Sequence, residues 1–422
     1  MPRSAEKPAE KALLLGLVPP GGEEESLESL GELALLAETA GARVAGHLLQ
    51  ARVSPDPATY LGSGKAAEAR ERIREGGLDL AVVDGELKPT QQRNLEKALE
   101  AKVLDRTQLI LDVFAQRALS NEGKLQVELA QLTYLLPRLA GSSESLSRLG
   151  GGIGTRGPGE TKLESDRRRL RLRISQLGLE IDQISRTRGL QRRGRKARSS
   201  GTVSLAGYTN AGKSSLFNAL TGARVLAQDR LFSTLDPTLR PLAGVAGVML
   251  SDTVGFVRRL PHALVAAFRA TLEEVSEAEL RLHVADAASP RFEEQRRAVE
   301  EVLAEIQRGA GAAPGETWLV LNKADLLPAE RRRSLKRRFP RALLVSARSG
   351  EGLEDLKRAL AGRFAPRLRR RVLLLPAEKA GLLSRHWARV KVLSQEWVDG
   401  SLRVELLAPA DLGELAEFVK RR

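Results

Sequence analysis

The chain has 422 residues, of which 29% are charged and 4% aromatic, with a formal charge of +15 and no cysteine. The length exceeds one domain's usual size, so two to four domains are expected, and the positive excess favours a polyanionic partner. Without cysteine there is no disulfide framework and no thiolate metal site; no apolar run approaches about 20 residues and the start lacks an apolar signal core, so no membrane span or secretion signal is expected and a cytoplasmic protein is.

The first segment alternates strand and helix. Residues 13–17 read as a buried strand, 26–39 as a helix, 42–49 as a strand, the stretch from Gly64 as a helix and 78–83 as a strand. Such alternation predicts an α/β domain over 1–105 with a mostly parallel sheet. Gly62-Ser63-Gly64-Lys65 is too short for a phosphate loop and reads as a helix-entry turn.

Residues 106–198 predict a helical hairpin. Apolar residues recur at Leu109, Val113, Leu125, Leu129, Leu132 and Leu136 up to about Leu139. A glycine-rich loop without apolar period follows over 141–162, and a second long helix is expected from near Leu163. Its 3–4 repeat of Leu170, Ile174, Leu177, Ile181 and Ile184 suits packing on the first helix. Residues 162–198 hold 13 Lys or Arg against 4 Asp or Glu, a net +9. An excess of one sign, not laced with acids at i+4, points to phosphate binding more than to a solvated face. Arg156, Lys162, Arg167, Arg168, Arg169, Arg171 and Arg173 are the candidate RNA contacts. With so few aromatics, shape and backbone contacts to structured RNA fit better than base stacking.

The third segment, 201–364, carries the most specific signals. Gly207-Tyr208-Thr209-Asn210-Ala211-Gly212-Lys213-Ser214-Ser215 lies between an apolar run at 203–206 and a helix-periodic stretch. Strand, glycine loop and helix form a phosphate-binding loop, with inward amides and a helix N-terminus. Lys213 would reach the β- and γ-phosphates and Ser214 would take a Mg²⁺ position. Asp252-Thr253-Val254-Gly255 follows the apolar 248–250: the carboxylate suits the Mg²⁺ shell and the Gly255 N–H a γ-phosphate. Asn322-Lys323-Ala324-Asp325 follows 318–321, and a carboxylate at Asp325 can accept from both N1–H and the 2-amino group of guanine. Ser346-Ala347 follows 342–345 and closes over the base. These four elements in this order predict a GTP- and GDP-binding GTPase. Lys213 and Gly255 are catalytic candidates, and Ser214 is a direct metal ligand, with Asp252 acting through water.

Two positions stay open at this level. Phe256 stands where many GTPases have a water-orienting glutamine. Either the missing group comes from a partner or a reordered switch, or Phe256 is core and the backbone holds the water. Asn210 either supports the loop turn or ligates a monovalent cation such as K⁺ in place of an arginine finger. His283 reads as core.

Residues 366–422 predict a small α+β domain: a strand at 372–375, a helix at 377–390, a hairpin of 392–398 with 401–407 about Asp399-Gly400, and a helix at 412–419.

Together these residues resemble the HflX family of bacterial ribosome-associated GTPases over nearly the whole chain. The likeness includes Thr59-Tyr60-Leu61-Gly62-Ser63-Gly64-Lys65, Glu86-Leu87, the 91–96 segment Gln-Gln-Arg-Asn-Leu-Glu, the 105–112 segment Asp-Arg-Thr-Gln-Leu-Ile-Leu-Asp and the 154–164 segment Gly-Thr-Arg-Gly-Pro-Gly-Glu-Thr-Lys-Leu-Glu. Phe232-Ser233-Thr234-Leu235-Asp236-Pro237-Thr238 is similar to the family's switch segment, with Ser233 where alanine is usual; Phe232, Ser233, Thr234, Leu235 and Asp236 thereby join the nucleotide-binding candidates, and the resemblance implies Thr234, with Thr238 as the alternative, as a catalytic candidate and direct Mg²⁺ ligand. The resemblance implies a monomeric factor that binds the 50S subunit and its 23S rRNA and separates stalled ribosomes. It also favours the glycine-rich loop as a probe of an RNA-lined cavity over a mere linker.

Overall fold

In the computed structural model the residues described are 9–139, 158–196, 201–223, 231–232, 238–245, 247–257, 274–310, 315–365, 369–385, 390–408 and 413–419. The chain forms two units, 1–354 and 355–422.

The larger unit opens with β1 (Lys11–Val18), α1 (Glu23–Ala40), β2 (Arg43–Ala51), α2 (Ser63–Gly76), β3 (Leu80–Val83), α3 (Pro89–Leu99) and β4 (Lys102–Asp105). The strands form a parallel sheet in the order β2-β1-β3-β4. β1 and β3 are apolar along almost their whole length because helices cover both sheet faces. Leu13, Leu15, Ala81 and Val83 pack with α2 and α3, whereas Leu14, Leu80 and Val82 pack with α1 and the helix after β4.

The helical hairpin follows with two corrections. The apolar period from Thr107 is not one helix but α4 (Arg106–Arg117) and α5 (Asn121–Leu139). Asp105 caps α4 by accepting from the Gln108 N–H at 2.8 Å, and Ser120 Oγ accepts from the Gly123 N–H at 2.9 Å to start α5. The second long helix, α6 (Pro158–Lys196), begins earlier than Leu163, with a proline at its first position. The 3–4 repeat does face α5: Leu177 is fully buried, and Leu170, Ile174, Ile181 and Ile184 are half-buried. Arg173 locks the hairpin through two bonds to Glu128, at 2.8 and 3.0 Å, and Arg188 pairs with Glu122 at 2.7 Å.

Next come β5 (Gly201–Gly207), α7 (Lys213–Thr221), β6 (Thr238–Pro241), β7 (Val248–Asp252), β8 (Leu280–Asp286), α8 (Phe292–Ala310), β9 (Glu316–Asn322), α9 (Ala329–Arg338) and β10 (Leu343–Leu344). The sheet order is β10-β9-β8-β5-β7-β6, parallel except for β6. The fold is therefore α/β, with an N-terminal α/β domain, a helical hairpin and a P-loop domain on a mostly parallel sheet. Helix α10 (Leu353–Phe364) begins at the end of the first unit and lies mostly in the second.

In the second unit β11 (Arg369–Pro376), β12 (Lys391–Val398) and β13 (Ser401–Ala408) form an antiparallel sheet, β11-β13-β12. Asp399 and Gly400, with φ of 49° and 75°, make the expected hairpin turn. The long helix expected at 377–390 is replaced, among the described residues, by a 3₁₀ turn, Ala377–Lys379, and a single-turn α11 (Leu382–Arg385), with Gly381 between them. The expected last helix is likewise a 3₁₀ segment, Gly413–Phe418. Leu383, Leu415 and the inner side chains of β11 and β13 share a small core.

Candidate nucleotide site

The phosphate loop and the motifs at 252–255, 322–325 and 346–347 gather at the carboxyl ends of parallel strands, where open α/β sheets bind ligands. β5 ends at Gly207. A Cβ there would lie 2.1 Å from the Val284 carbonyl oxygen of β8, so only glycine lets the strands approach. The loop then turns through Asn210 and Gly212, with φ of 60° and 85°. Asparagine tolerates that conformation better than most residues. The Asn210 side chain is exposed at the loop's crest. Helix α7 starts at Lys213 after the Gly212 N-cap, with Ser214 and Ser215 in its first turn, so its amide dipoles point at the loop.

Lys213 is 6% exposed, and its ammonium donates to the carbonyls of Gly207 and Tyr208 at 3.1 and 2.8 Å. Burial lowers its pKa to about 8, while the neighbouring Asp252 carboxylate acts the other way. A Cβ on Gly255 would lie 2.9 Å from Lys213 Nζ, so the Asp-x-x-Gly glycine sits directly on the ammonium. Backbone bonds fix this arrangement: the Thr209 N–H donates to the Phe256 carbonyl at 2.7 Å, and the Phe256 N–H to the Gly207 carbonyl at 3.1 Å. Asp252, at the end of β7, is fully buried, and Thr253 Oγ1 donates to the Leu205 carbonyl at 2.6 Å.

Phe256 itself is a core residue, and its packing leaves open whether backbone or a partner holds the water. Its ring is 3% exposed and shares a cluster with Ala206, Tyr208, Val275, Val299 and Leu303. It is core, and it presents no polar group to a phosphate. His283 is also buried, 2% exposed, and burial with nearby Arg296 and Lys213 pushes its pKa down to about 4.

The base-side motifs brace one another and the phosphate loop. Asn322 Nδ2 donates to the Ala211 carbonyl at 2.9 Å, and Asn322 Oδ1 accepts from the Ala347 N–H at 3.0 Å. Ser346 Oγ donates to Asp325 Oδ1 at 2.6 Å, which fixes an otherwise exposed carboxylate. Lys323, at φ 62°, pairs with Asp286 at 2.7 Å, and the Ala324 N–H donates to the Val345 carbonyl at 3.0 Å. Arg332 of α9 supports the loop from below, donating to the carbonyls of Leu327 and Ala324 at 3.2 and 2.6 Å.

Some candidates lie elsewhere. Ser233, Thr234, Leu235, Asp236 and Arg156 fall outside the described residues, as do residues 141–157 of the glycine-rich loop. Lys162 is on α6, but its side chain is not described. Phe232 packs edge-on against Phe114 of α4, with ring centroids 4.6 Å apart, and is 2% exposed. Leu231, Val254 and Val257 join it in the N-terminal domain's core cluster. Arg167, Arg168, Arg169 and Arg171 extend along the exposed or half-buried side of α6. Arg173 differs from the expectation, because Glu128 already holds its guanidinium in a two-bond pair.

One group of site residues escaped the sequence reading. Tyr208 Oη donates to Glu32 Oε2 of α1 at 2.7 Å; Arg106 binds Glu32 at 2.6 Å and Asp84 at 2.9 Å. All four are 8% exposed or less. The available signal was a glutamate inside the apolar stripe of Leu30, Leu33 and Leu36.

A glycine loop with a buried lysine, an Asp-x-x-Gly glycine on that lysine and a braced Asn-Lys-x-Asp loop define a P-loop GTPase. Three family models match in succession: "GTP-binding GTPase N-terminal" over 27–115, "GTP-binding GTPase Middle Region" over 117–195 and "50S ribosome-binding GTPase" over 202–323. GTPase HflX of Caldanaerobacter subterraneus subsp. tengcongensis is 44% identical over 416 residues, 97% of this chain and 94% of its own. GTPase HflX of Escherichia coli is 44% identical over 393 residues, 92% of this chain and 91% of its own. A solved GTP-binding protein of Sulfolobus solfataricus in complex with GDP is 25% identical, with a TM-score of 0.44 over 84% of this chain and 100% of that one. The chain belongs to the HflX family of GTPases. No helix among its described residues is long and apolar enough to cross a membrane.

Proposed function

We propose that this GTPase is a cytoplasmic, monomeric factor that binds the 50S subunit through 23S rRNA and separates or rescues stalled ribosomes under stress. The observation that carries the reading is the match of 202–323 to a family described as 50S ribosome-binding GTPases, joined to a helix on which Arg168, Arg169 and Arg171 are exposed and Arg167 is half-buried. Guanidinium groups of one sign along a long helix suit an RNA backbone.

Hydrolysis in this reading needs positioned water and charge neutralisation, not covalent chemistry. The loop amides and the Lys213 ammonium hold the β- and γ-phosphates, and the Gly255 N–H meets the γ-phosphate. Asp325 accepts from N1–H and the 2-amino group of guanine, Asn322 ties that loop to the phosphate loop, and Ser346 and Ala347 close over the base. The donor set fits Mg²⁺: a fully buried carboxylate at Asp252 and a hydroxyl at Ser214 stand at the loop, and no cluster of three or more His, Cys, Asp or Glu among the described residues offers a rival all-protein site. A Mg²⁺ ion held mainly by phosphates, with Ser214 and Thr234 as ligands and Asp252 through water, would neutralise the charge between the β- and γ-oxygens. Asn210, exposed in the loop, would ligate a K⁺ beside the phosphates. With Phe256 in the core, the attacking water is oriented by backbone groups or by the ribosome, which makes the isolated protein a slow enzyme.

The test is sedimentation with 50S subunits in the presence of GTP, GDP or a non-hydrolysable GTP analogue. Co-sedimentation favoured by the analogue supports the reading; a chain that stays at the top of the gradient with every nucleotide rejects it.

A further inference from the structure

Helix α9 (Ala329–Arg338) has six basic residues in ten and a single acid, Glu330. Three of the basic residues have a visible purpose or none is needed. Arg332 holds the base-recognition loop and pairs with Glu351 at 2.6 Å. Arg338 pairs with Glu293 at 3.0 Å and lies over the Phe339 ring, 5.4 Å from its centroid. Arg331 is exposed, off the outer face.

The remaining three stand together. Arg333, Lys336 and Arg337 are spaced i, i+3 and i+4, so they share one face of the helix. All are exposed, and none has an ion-pair partner among the described residues. With Glu330 and Ser334 they line a shallow surface depression. The helix's one apolar anchor, Leu335, turns inward and is 4% exposed. Like charges at this spacing destabilise a helix. The dipole at the C-terminus relieves Lys336 and Arg337, which lie in the last turn, but not Arg333. Folding therefore does not account for this face. It also lacks any aromatic or aliphatic side chain with which to bury a protein partner's apolar core.

We propose that the Arg333–Lys336–Arg337 face is a second RNA-backbone contact, separate from the arginines of α6. The inference rests on the reading of this chain as a factor that binds ribosomal RNA, and it assigns a part of that binding to the GTPase domain itself. α9 connects β9 to β10 at one edge of the sheet, whereas β6, which follows the switch segment, forms the other edge. RNA held by α9 thus leaves the switch edge clear. Arg332 joins the same helix to the loop that carries Asp325, so a bound RNA would also steady the base side of the site.

The experiment measures binding to 50S subunits and, in parallel, to protein-free 23S rRNA across a salt series with a non-hydrolysable GTP analogue. It compares the parent, the variant Arg333→Gln/Lys336→Gln/Arg337→Gln and the charge-keeping variant Arg333→Lys/Arg337→Lys. If the three cations each neutralise a phosphate, the logarithmic salt slope of the Gln variant flattens by about 2–3 on both targets, and the Lys variant keeps the parent slope. GDP affinity, unchanged in both, verifies the fold. Coincident salt lines for parent and Gln variant overturn the inference and leave the ribosomal reading standing. A loss on subunits but not on bare rRNA would assign the face to an acidic protein and equally overturn it. A parent that binds neither target at any salt removes the ribosomal reading and this inference together.

Discussion

Tyr208 of the phosphate loop donates its hydroxyl to Glu32 of the N-terminal helix α1 at 2.7 Å, across 176 positions of sequence. Glu32 is in turn held by Arg106, and four residues earlier Glu28 pairs with Arg291 at 3.3 Å. One face of α1 therefore grips the GTPase domain at two successive turns. Tyr208→Phe leaves Glu32 with Arg106 but without this donor, and should cost about 1–3 kcal/mol of stability. Glu32→Ala leaves the buried Arg106 guanidinium facing Asp84 alone, and about 3–5 kcal/mol is expected, because a charge pair broken on one side is worse than none. Urea unfolding of both variants measures this; a Glu32→Ala variant as stable as the parent would mean that water replaces the carboxylate.

Lys213 links the site to pH. Its folded pKa of about 8 lies below the ordinary lysine value, because burial disfavours the charged form. Between about 8 and 10.4 the unfolded chain binds a proton that the folded nucleotide-free protein does not, so stability should rise with pH over that window and be flat with respect to this group below it. Lys213→Met should remove that rise. Bound phosphate favours the ammonium, so GDP affinity should fall as pH passes about 8. Lys213→Ala should retain the circular dichroism of the parent and lose measurable hydrolysis. A GDP affinity that stays level from pH 7 to 9.5 contradicts this account of the lysine.

Asp325 sets the base. Asp325→Asn reverses part of the hydrogen-bond pattern, and at roughly 1.5–3 kcal/mol for a hydrogen bond to a charged group it should weaken GTP about tenfold or more while favouring xanthosine triphosphate. Competition between the two nucleotides for the variant reads this directly. Unaltered GTP preference would remove Asp325 from the base site.

Asn210 is exposed at a positive φ. If its carbonyl ligates a monovalent ion, hydrolysis is faster in K⁺ than in Na⁺ at equal ionic strength, and Asn210→Ala erases the difference. Equal rates in the two salts leave Asn210 as a turn residue.

What the sequence made legible was local. Each nucleotide motif is a short run at the end of an apolar strand, and strand ends of a parallel sheet converge whatever else the chain does, so Gly207, Lys213, Asp252, Gly255, Asn322 and Asp325 could be assigned without a structure. Long-range partnerships could not. Nothing near Tyr208 announces Glu32, and nothing near Arg173 announces Glu128, so one contact was missed and one arginine was expected to face RNA although it braces the hairpin. Phe256 packs against Val275, Val299 and Leu303 as a core residue, which a hydrophobic residue after Asp-x-x-Gly suggests but does not establish. The break between α4 and α5 was hidden because the apolar period continues through it, although Ser120 is a good cap. In the last unit the helical periodicity of 377–385 and 413–418 hid a 3₁₀ turn, a single α-turn and a 3₁₀ segment.

In the proposed function this GTPase works on the large ribosomal subunit and grips its RNA with α6. The most direct measurement is the dissociation constant for 50S subunits across a salt series, with GTP turnover followed in the same samples, for the parent and for Arg167→Gln/Arg168→Gln/Arg169→Gln/Arg171→Gln. Arg173 stays in place, because its replacement would loosen the hairpin. The account predicts that subunits accelerate turnover by the parent. In the variant the salt slope flattens by up to about 3–4, at roughly 0.7–0.9 per phosphate contact, intrinsic turnover is unchanged and the acceleration is lost at physiological salt. A parent that neither binds the subunit nor responds to it would contradict the claim.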